Sequence, residues 1–120
     1  MRYFKNSEFN CKCKKCDNEH HMDMETLEML ETARAFAGIP LKINSAWRCE
    51  EYNASKKVGG LPTSSHLVGK AVDIRTKTPT ERFWVVYGLI HAGFTRILHY
   101  KTFVHADTDI EKPREIMSLM

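Results

Sequence analysis

Two stretches of this 120-residue sequence carry side chains that could converge on one metal ion: Ser64-Ser-His66-Leu-Val-Gly69-Lys-Ala71-Val-Asp73-Ile74 and Phe103-Val-His105-Ala-Asp107. Zinc takes nitrogen, sulfur or carboxylate ligands at about 2 Å, and a catalytic site uses three of them so that water keeps the fourth position. Two histidines and one aspartate meet that need. On a strand, His105 and Asp107 point to one face, so both could reach a single site. The competing reading is a set of separate surface or hydrogen-bonding residues, because the spacing of seven between His66 and Asp73 is no general zinc rule. The residue types alone leave both readings open.

Four cysteines form a second group: Cys11-Lys-Cys13-Lys-Lys-Cys16, with Cys49 far along the chain. For a protein made in the cytosol, this spacing favours reduced thiols or a metal site over a disulfide framework. Cys11, Cys13 and Cys16, with His20, His21 or Cys49 as fourth ligand, could close a structural zinc site that ties down an N-terminal arm. Partly buried reduced thiols are the alternative, and His20 and His21, beside Asp17 and Glu19, also read as a solvated loop.

The elements around these residues follow from local signals. Asp23 can cap a helix from Met24 to Ala37, with Leu27, Leu30, Ala33 and Ala37 on one face and Gly38 as its stop. Leu41 to Ser45 alternates as a strand does, Arg48 to Lys57 suits a short helix, and Val58 to Ser65 reads as loop. Lys70 to Arg75 is expected as a second strand. Thr78-Pro79-Thr80-Glu81 combines a Thr cap, a proline at the first helical position and a capping-box glutamate. The helix it opens is expected to turn Phe83, Val86, Tyr87 and Ile90 inward and to stop at Gly93. Trp47, Trp84, Phe83 and Phe94 are read as core residues. Thr95 to Tyr100 and Thr102 to Asp107 then suit two strands joined by a tight turn. Helices and strands lack regular βαβ alternation, so the fold class expected is α+β with a mainly antiparallel sheet flanked by helices.

With 42% hydrophobic residues, a chain of this length supports one compact core, a single domain over 1–120 with residues 1–22 as an arm and 112–120 as a loose tail. A formal charge of +3 suits an anionic partner such as a cell wall and falls short of a nucleic-acid footprint. No apolar run reaches the roughly 18 residues of a membrane span, and MRYFKNSEF has no signal-peptide core. A soluble protein made in the cytoplasm is therefore expected, a monomer with no membrane insertion and no nucleic-acid partner.

The ordered set of motifs resembles the peptidase M15 family, the zinc D-Ala-D-Ala carboxypeptidases and phage endolysins that share a fold with the Hedgehog signalling domain. The resemblance runs from Tyr3-Phe4-Lys5 and Ser7-Glu8-Phe9 through Pro40 to Ser45, Arg48, Asn53 and Val58-Gly-Gly60. It continues in Ser64-x-His66-x-x-Gly69-x-Ala71-x-Asp73-Ile74 and ends at Phe103-Val-His105-x-Asp107. It implies His66, Asp73 and His105 as zinc ligands, Arg48 as the anchor of a substrate carboxylate or carbonyl, and Ser64 as a hydrogen-bonding partner of bound peptide. The sequence departs from the family pattern in one respect. Members commonly carry a carboxylate general base three residues before the last histidine ligand, or six in related folds, where this chain has Thr102 and His99. Asp107 and His99 are the substitute candidates for proton transfer, with Asp107 alternatively orienting a ligand imidazole.

The resemblance thus implies a zinc hydrolase cleaving peptidoglycan stem peptides, as a D-Ala-D-Ala carboxypeptidase or an endolysin-type endopeptidase. Such a protein could be phage-encoded and brought to the cell wall by a separate lysis or delivery device. The alternative is an inactive, zinc-stabilised binding module, which the missing upstream carboxylate supports.

Overall fold

The computed structural model describes residues 1–13, 15–16, 19–55, 57–112 and 115–118. A 3₁₀ turn at Asn6–Phe9 precedes α1 (Met24–Ala37), β1 (Ile43–Ser45), α2 (Glu50–Ala54), β2 (Ala71–Arg75), α3 (Pro79–Ala92), β3 (Arg96–His99), β4 (Phe103–Asp107) and β5 (Glu115–Ser118). The helix ends are where the capping chemistry puts them. Asp23 accepts the Thr26 amide and Gly38 closes α1 at φ 70°, while Thr78 accepts the Glu81 amide and Gly93 closes α3 at φ 98°.

The strands form one sheet in the order β1-β2-β4-β3-β5, antiparallel except for the β3–β5 pair, which gives the expected α+β class. Because side chains alternate across a strand, the sheet has two distinct faces. Val72 and Ile74 of β2, Ile97 of β3, and Val104 and Ala106 of β4 pack into the core with Leu27, Leu30 and Ala33 of α1 and Val85 and Leu89 of α3. The intervening residues Asp73, Leu98 and His105 line a cleft on the other face. The arm joins the same core through Phe4, Phe9 and Met22, and the Tyr3 amide donates to the Glu31 carboxylate at 2.9 Å.

Four expectations are corrected. Helix α3 buries Val85, Gly88 and Leu89, whereas Phe83 and Ile90 stay 59% and 47% exposed and Val86 and Tyr87 lie at the margin. This helix is apolar on most of its circumference, so periodicity does not choose a face. The choice falls to Gly88, where a Cβ would overlap the Ala33 carbonyl oxygen of α1 and press on Ala37. For the same reason Trp84, 39% exposed, lies outside the core with Phe83, while Trp47 and Phe94 are buried as expected. Finally, Glu115–Ser118 of the supposed loose tail pairs parallel with β3, taking up the backbone groups that an edge strand otherwise leaves open. Arg48 to Lys57 narrows to a helix of Glu50–Ala54.

Candidate metal centre

Asp73 and His105 stand opposite each other in the β2–β4 register, so two neighbouring strands deliver a carboxylate and an imidazole to one point on the cleft face. His66 arrives from the loop before β2. That loop is shaped by Gly69 at φ 70°, where a Cβ would overlap the His21 carbonyl oxygen, and by the hydrogen bond from the Asp23 amide to Gly69 O at 2.9 Å. The Ser65 hydroxyl donates to Asp109 at 2.8 Å and pins the other side of the loop.

The hydrogen bonds fix how each ring faces the cleft. His66 Nδ1 lies 2.6 Å from the Ala46 carbonyl oxygen, which can only accept, so Nδ1 carries the proton and Nε2 presents a lone pair. That Nε2 is buried with no hydrogen-bond partner among the described residues, although Asp73 Oδ1 is 3.3 Å away. His105 Nε2 donates to Asp107 Oδ2 at 2.8 Å, which turns Nδ1 toward Asp73 Oδ1 at 3.0 Å. A ligand atom from each of His66, Asp73 and His105 lies within 4.8 Å of the others.

This arrangement fits a divalent cation. An orphaned buried imidazole lone pair is costly unless something positive occupies the space in front of it. The electrostatics point the same way. Burial would raise the Asp73 pKa, but the His66 and His105 imidazoles that face it, with a hydrogen bond from His105, hold it well below the usual carboxylate range. Burial would lower the His105 pKa, but hydrogen bonds to Asp107 and Asp73 outweigh it and raise it. Asp107, itself inaccessible, is held by Arg96 Nη1 at 2.9 Å, so it orients the His105 ring rather than facing the cleft.

Around the three side chains is a cleft of about 480 Å³, a volume suited to a small peptide segment. Arg48 is nearly buried in its wall, with Nη2 3.8 Å from Asp73 Oδ2 and Nη1 donating to Asn53 Oδ1 at 3.2 Å. Its Nε has no partner among the described residues. Asn53, on α2, also donates to Leu61 O at 2.8 Å, and a Cβ on Gly60 would overlap its amide, so Val58-Gly-Gly60 sets the arginine's support. Ser64 lines the cleft and its hydroxyl accepts the His66 amide at 3.3 Å.

The structure thus brings His66, Asp73, His105, Arg48 and Ser64 together, with Asp107 directly behind His105. It does not bring His99, which shares the core-side parity of Ile97 and lies with Nδ1 3.0 Å from Arg82 Nη1. Burial, then the Arg82 charge, lowers its pKa, as suits an acceptor for a guanidinium. Thr102 is exposed in the β3–β4 turn, and its carbonyl accepts the Thr76 amide at 3.0 Å. Cys11, Cys13 and Cys16 meet Cys49 in the arm, outside the triad.

Two contributors carry no motif. Tyr100 lines the cleft, and burial followed by the Asp73 charge raises its pKa, keeping the phenol a hydrogen-bond donor. Arg96 lines it too while holding Asp107. Their only signal in the sequence is strand alternation, since Arg96, Leu98 and Tyr100 share a parity. The family model described as Peptidase M15 matches residues 2–107 of the chain. No curated protein matches it.

Proposed function

From the premise that the chain belongs to the peptidase M15 family, whose model spans residues 2–107, we propose that it is a zinc-dependent peptidase acting on peptidoglycan stem peptides. The observation that carries this reading is the unpartnered, buried Nε2 of His66, facing Asp73 and His105 beside an arginine whose Nε is also unpartnered. His66 Nε2, Asp73 Oδ1 and His105 Nδ1 would hold the metal. When bound, zinc supplies Lewis acidity, polarising a carbonyl and acidifying water.

The chain's own residues do the rest. Arg48, rigidly held by Asn53, offers its fork of donors to a substrate carboxylate or carbonyl. Tyr100 and Ser64 add hydroxyls along the same wall. Lys12, Lys57 and Lys112 also line the cleft, against Asp73 as its acidic lining residue, and this balance suits stem peptides with their free carboxylates. Asp107 accepts the His105 Nε2 proton and thereby fixes which nitrogen faces the cleft. A carboxypeptidase and an endopeptidase would use this wall alike and differ in where the peptide ends.

A second reading, peptide binding without hydrolysis, is favoured by one observation. Thr102 and His99 are absent from the cleft lining, and Asp107 is occupied by His105 and Arg96. Digestion of purified peptidoglycan with zinc-loaded protein, with products identified by mass, separates the readings. Released D-alanine indicates the carboxypeptidase and released longer peptides the endopeptidase. Intact peptidoglycan that nevertheless retains the protein indicates the binding module and overturns the enzyme.

A further inference from the structure

The four cysteines converge although 38 residues separate Cys11 from Cys49. Cys11 Sγ lies 3.8 Å from Cys49 Sγ, Cys49 Sγ lies 3.9 Å from Cys13 Sγ, and all four sulfurs, including Cys16, fall within 4.8 Å of one another. A disulfide needs about 2.05 Å between sulfurs, so these pairs are not bonded. A tetrahedron of thiolates around zinc, each at about 2.3 Å, has an edge of about 3.8 Å. The Cys11–Cys49 and Cys13–Cys49 separations match that edge. Backbone amides also point at the sulfurs, Cys49 N to Cys11 Sγ at 3.5 Å and Tyr52 N to Cys49 Sγ at 3.4 Å, an arrangement that stabilises thiolate charge. The group of potential ligands that meets here contains the four sulfurs and neither His20 nor His21.

We propose that Cys11, Cys13, Cys16 and Cys49 form a closed structural site for a second zinc ion, independent of the His66–Asp73–His105 centre. Four sulfur ligands leave no open position, so the site binds no substrate. Its place in the fold gives it a purpose. It staples the N-terminal arm to the residue that caps α2 and directly follows Arg48 in the chain, and Lys12, inside the cluster, lines the cleft. The second zinc therefore holds one wall of the cleft in place.

The test is metal content and thiol reactivity of the whole chain, purified under reducing conditions. The parent should carry two zinc ions, and His66→Ala should keep one of them. Replacing zinc with cobalt in His66→Ala should give the intense near-ultraviolet thiolate charge-transfer band of a tetrathiolate site. In the parent, the four thiols should resist a thiol reagent until a strong chelator is added and then react fully. Cys16→Ser should lose one zinc equivalent, whereas Cys16→His, which supplies another zinc ligand, should restore it. If Cys16→Ser fails to fold, the thiol-protection measurement on the parent still decides. A His66→Ala protein without zinc, thiols that react at once in the parent, or disulfides under these conditions would each overturn the proposal. The histidine–aspartate centre is read separately, from the zinc equivalent that His66→Ala loses relative to the parent.

Discussion

At the scale of single residues, Asp107 sits between His105 and Arg96 with no access to solvent, which suits holding the His105 ring. A carboxylate that holds a ligand imidazole tunes metal affinity, and its loss typically costs about 10 to 100-fold in binding. Asp107→Asn is thus expected to weaken zinc binding by about that factor, with added zinc restoring much of the activity, as titration against a competing chelator would read. A loss of turnover that zinc cannot rescue would instead make Asp107 a proton acceptor. Arg48→Lys keeps the charge but loses the fork, so peptide hydrolysis should fall about tenfold or more with zinc content unchanged. The pH dependence follows from His105. In chelator-stripped protein its pKa is raised, so its contribution to stability is complete below the ordinary value of about 6.5 and is lost as pH rises through the folded value. Asp73, held low, contributes evenly above about pH 4 and falls away only below it. Zinc requires neutral His105, so the rise in melting temperature that zinc confers should grow between about pH 5 and pH 8. A rise independent of pH would remove His105 from the ligand set. The spacing of His66, Asp73, His105 and Arg48 was legible through a family pattern. Cys49 was one of three candidates beside Cys11, Cys13 and Cys16, and only the fold chooses it over His20 and His21, while the reach of Tyr100 into the cleft has no local signal.

At the scale of elements, what was legible had a local physical cause. Asp23 and Gly38 bracket α1, and Thr78, Pro79 and Gly93 bracket α3, where the caps and left-handed stops predict them. What was missed depended on a partner far along the chain. The inward face of α3 was misassigned because apolar residues surround it, and only the approach of Ala33 to Gly88 selects the Val85–Leu89 stripe. This contact is testable. Gly88→Ala inserts a methyl group against the α1 backbone and should destabilise the fold by about 1–3 kcal/mol, as overpacking does. Denaturant unfolding that shows equal or greater stability would mean that α1 and α3 separate at no cost. β5 escaped notice for a similar reason, since four residues pairing in parallel with β3 are defined by the sheet edge they join.

The whole molecule divides its sheet between two tasks. One face, with Val72, Ile74, Ile97 and Val104, packs on the helices and sets the stability of the platform. The other presents Asp73 and His105 from paired strands, while loops anchored at Gly69 and Asn53 bring His66 and Arg48 over them. The strand order β1-β2-β4-β3-β5, which makes Asp73 and His105 neighbours, is a non-local property that the alternating patterns alone do not specify. On the proposed reading, a zinc ion shared by three side chains from distant parts of the chain would couple binding to folding. The most direct test is zinc content per chain, measured side by side in the parent, His66→Ala and His105→Ala after removal of loosely held metal. Each variant is predicted to hold one zinc ion fewer than the parent and to melt at lower temperature. Equal zinc content in all three proteins would contradict the assignment of the centre.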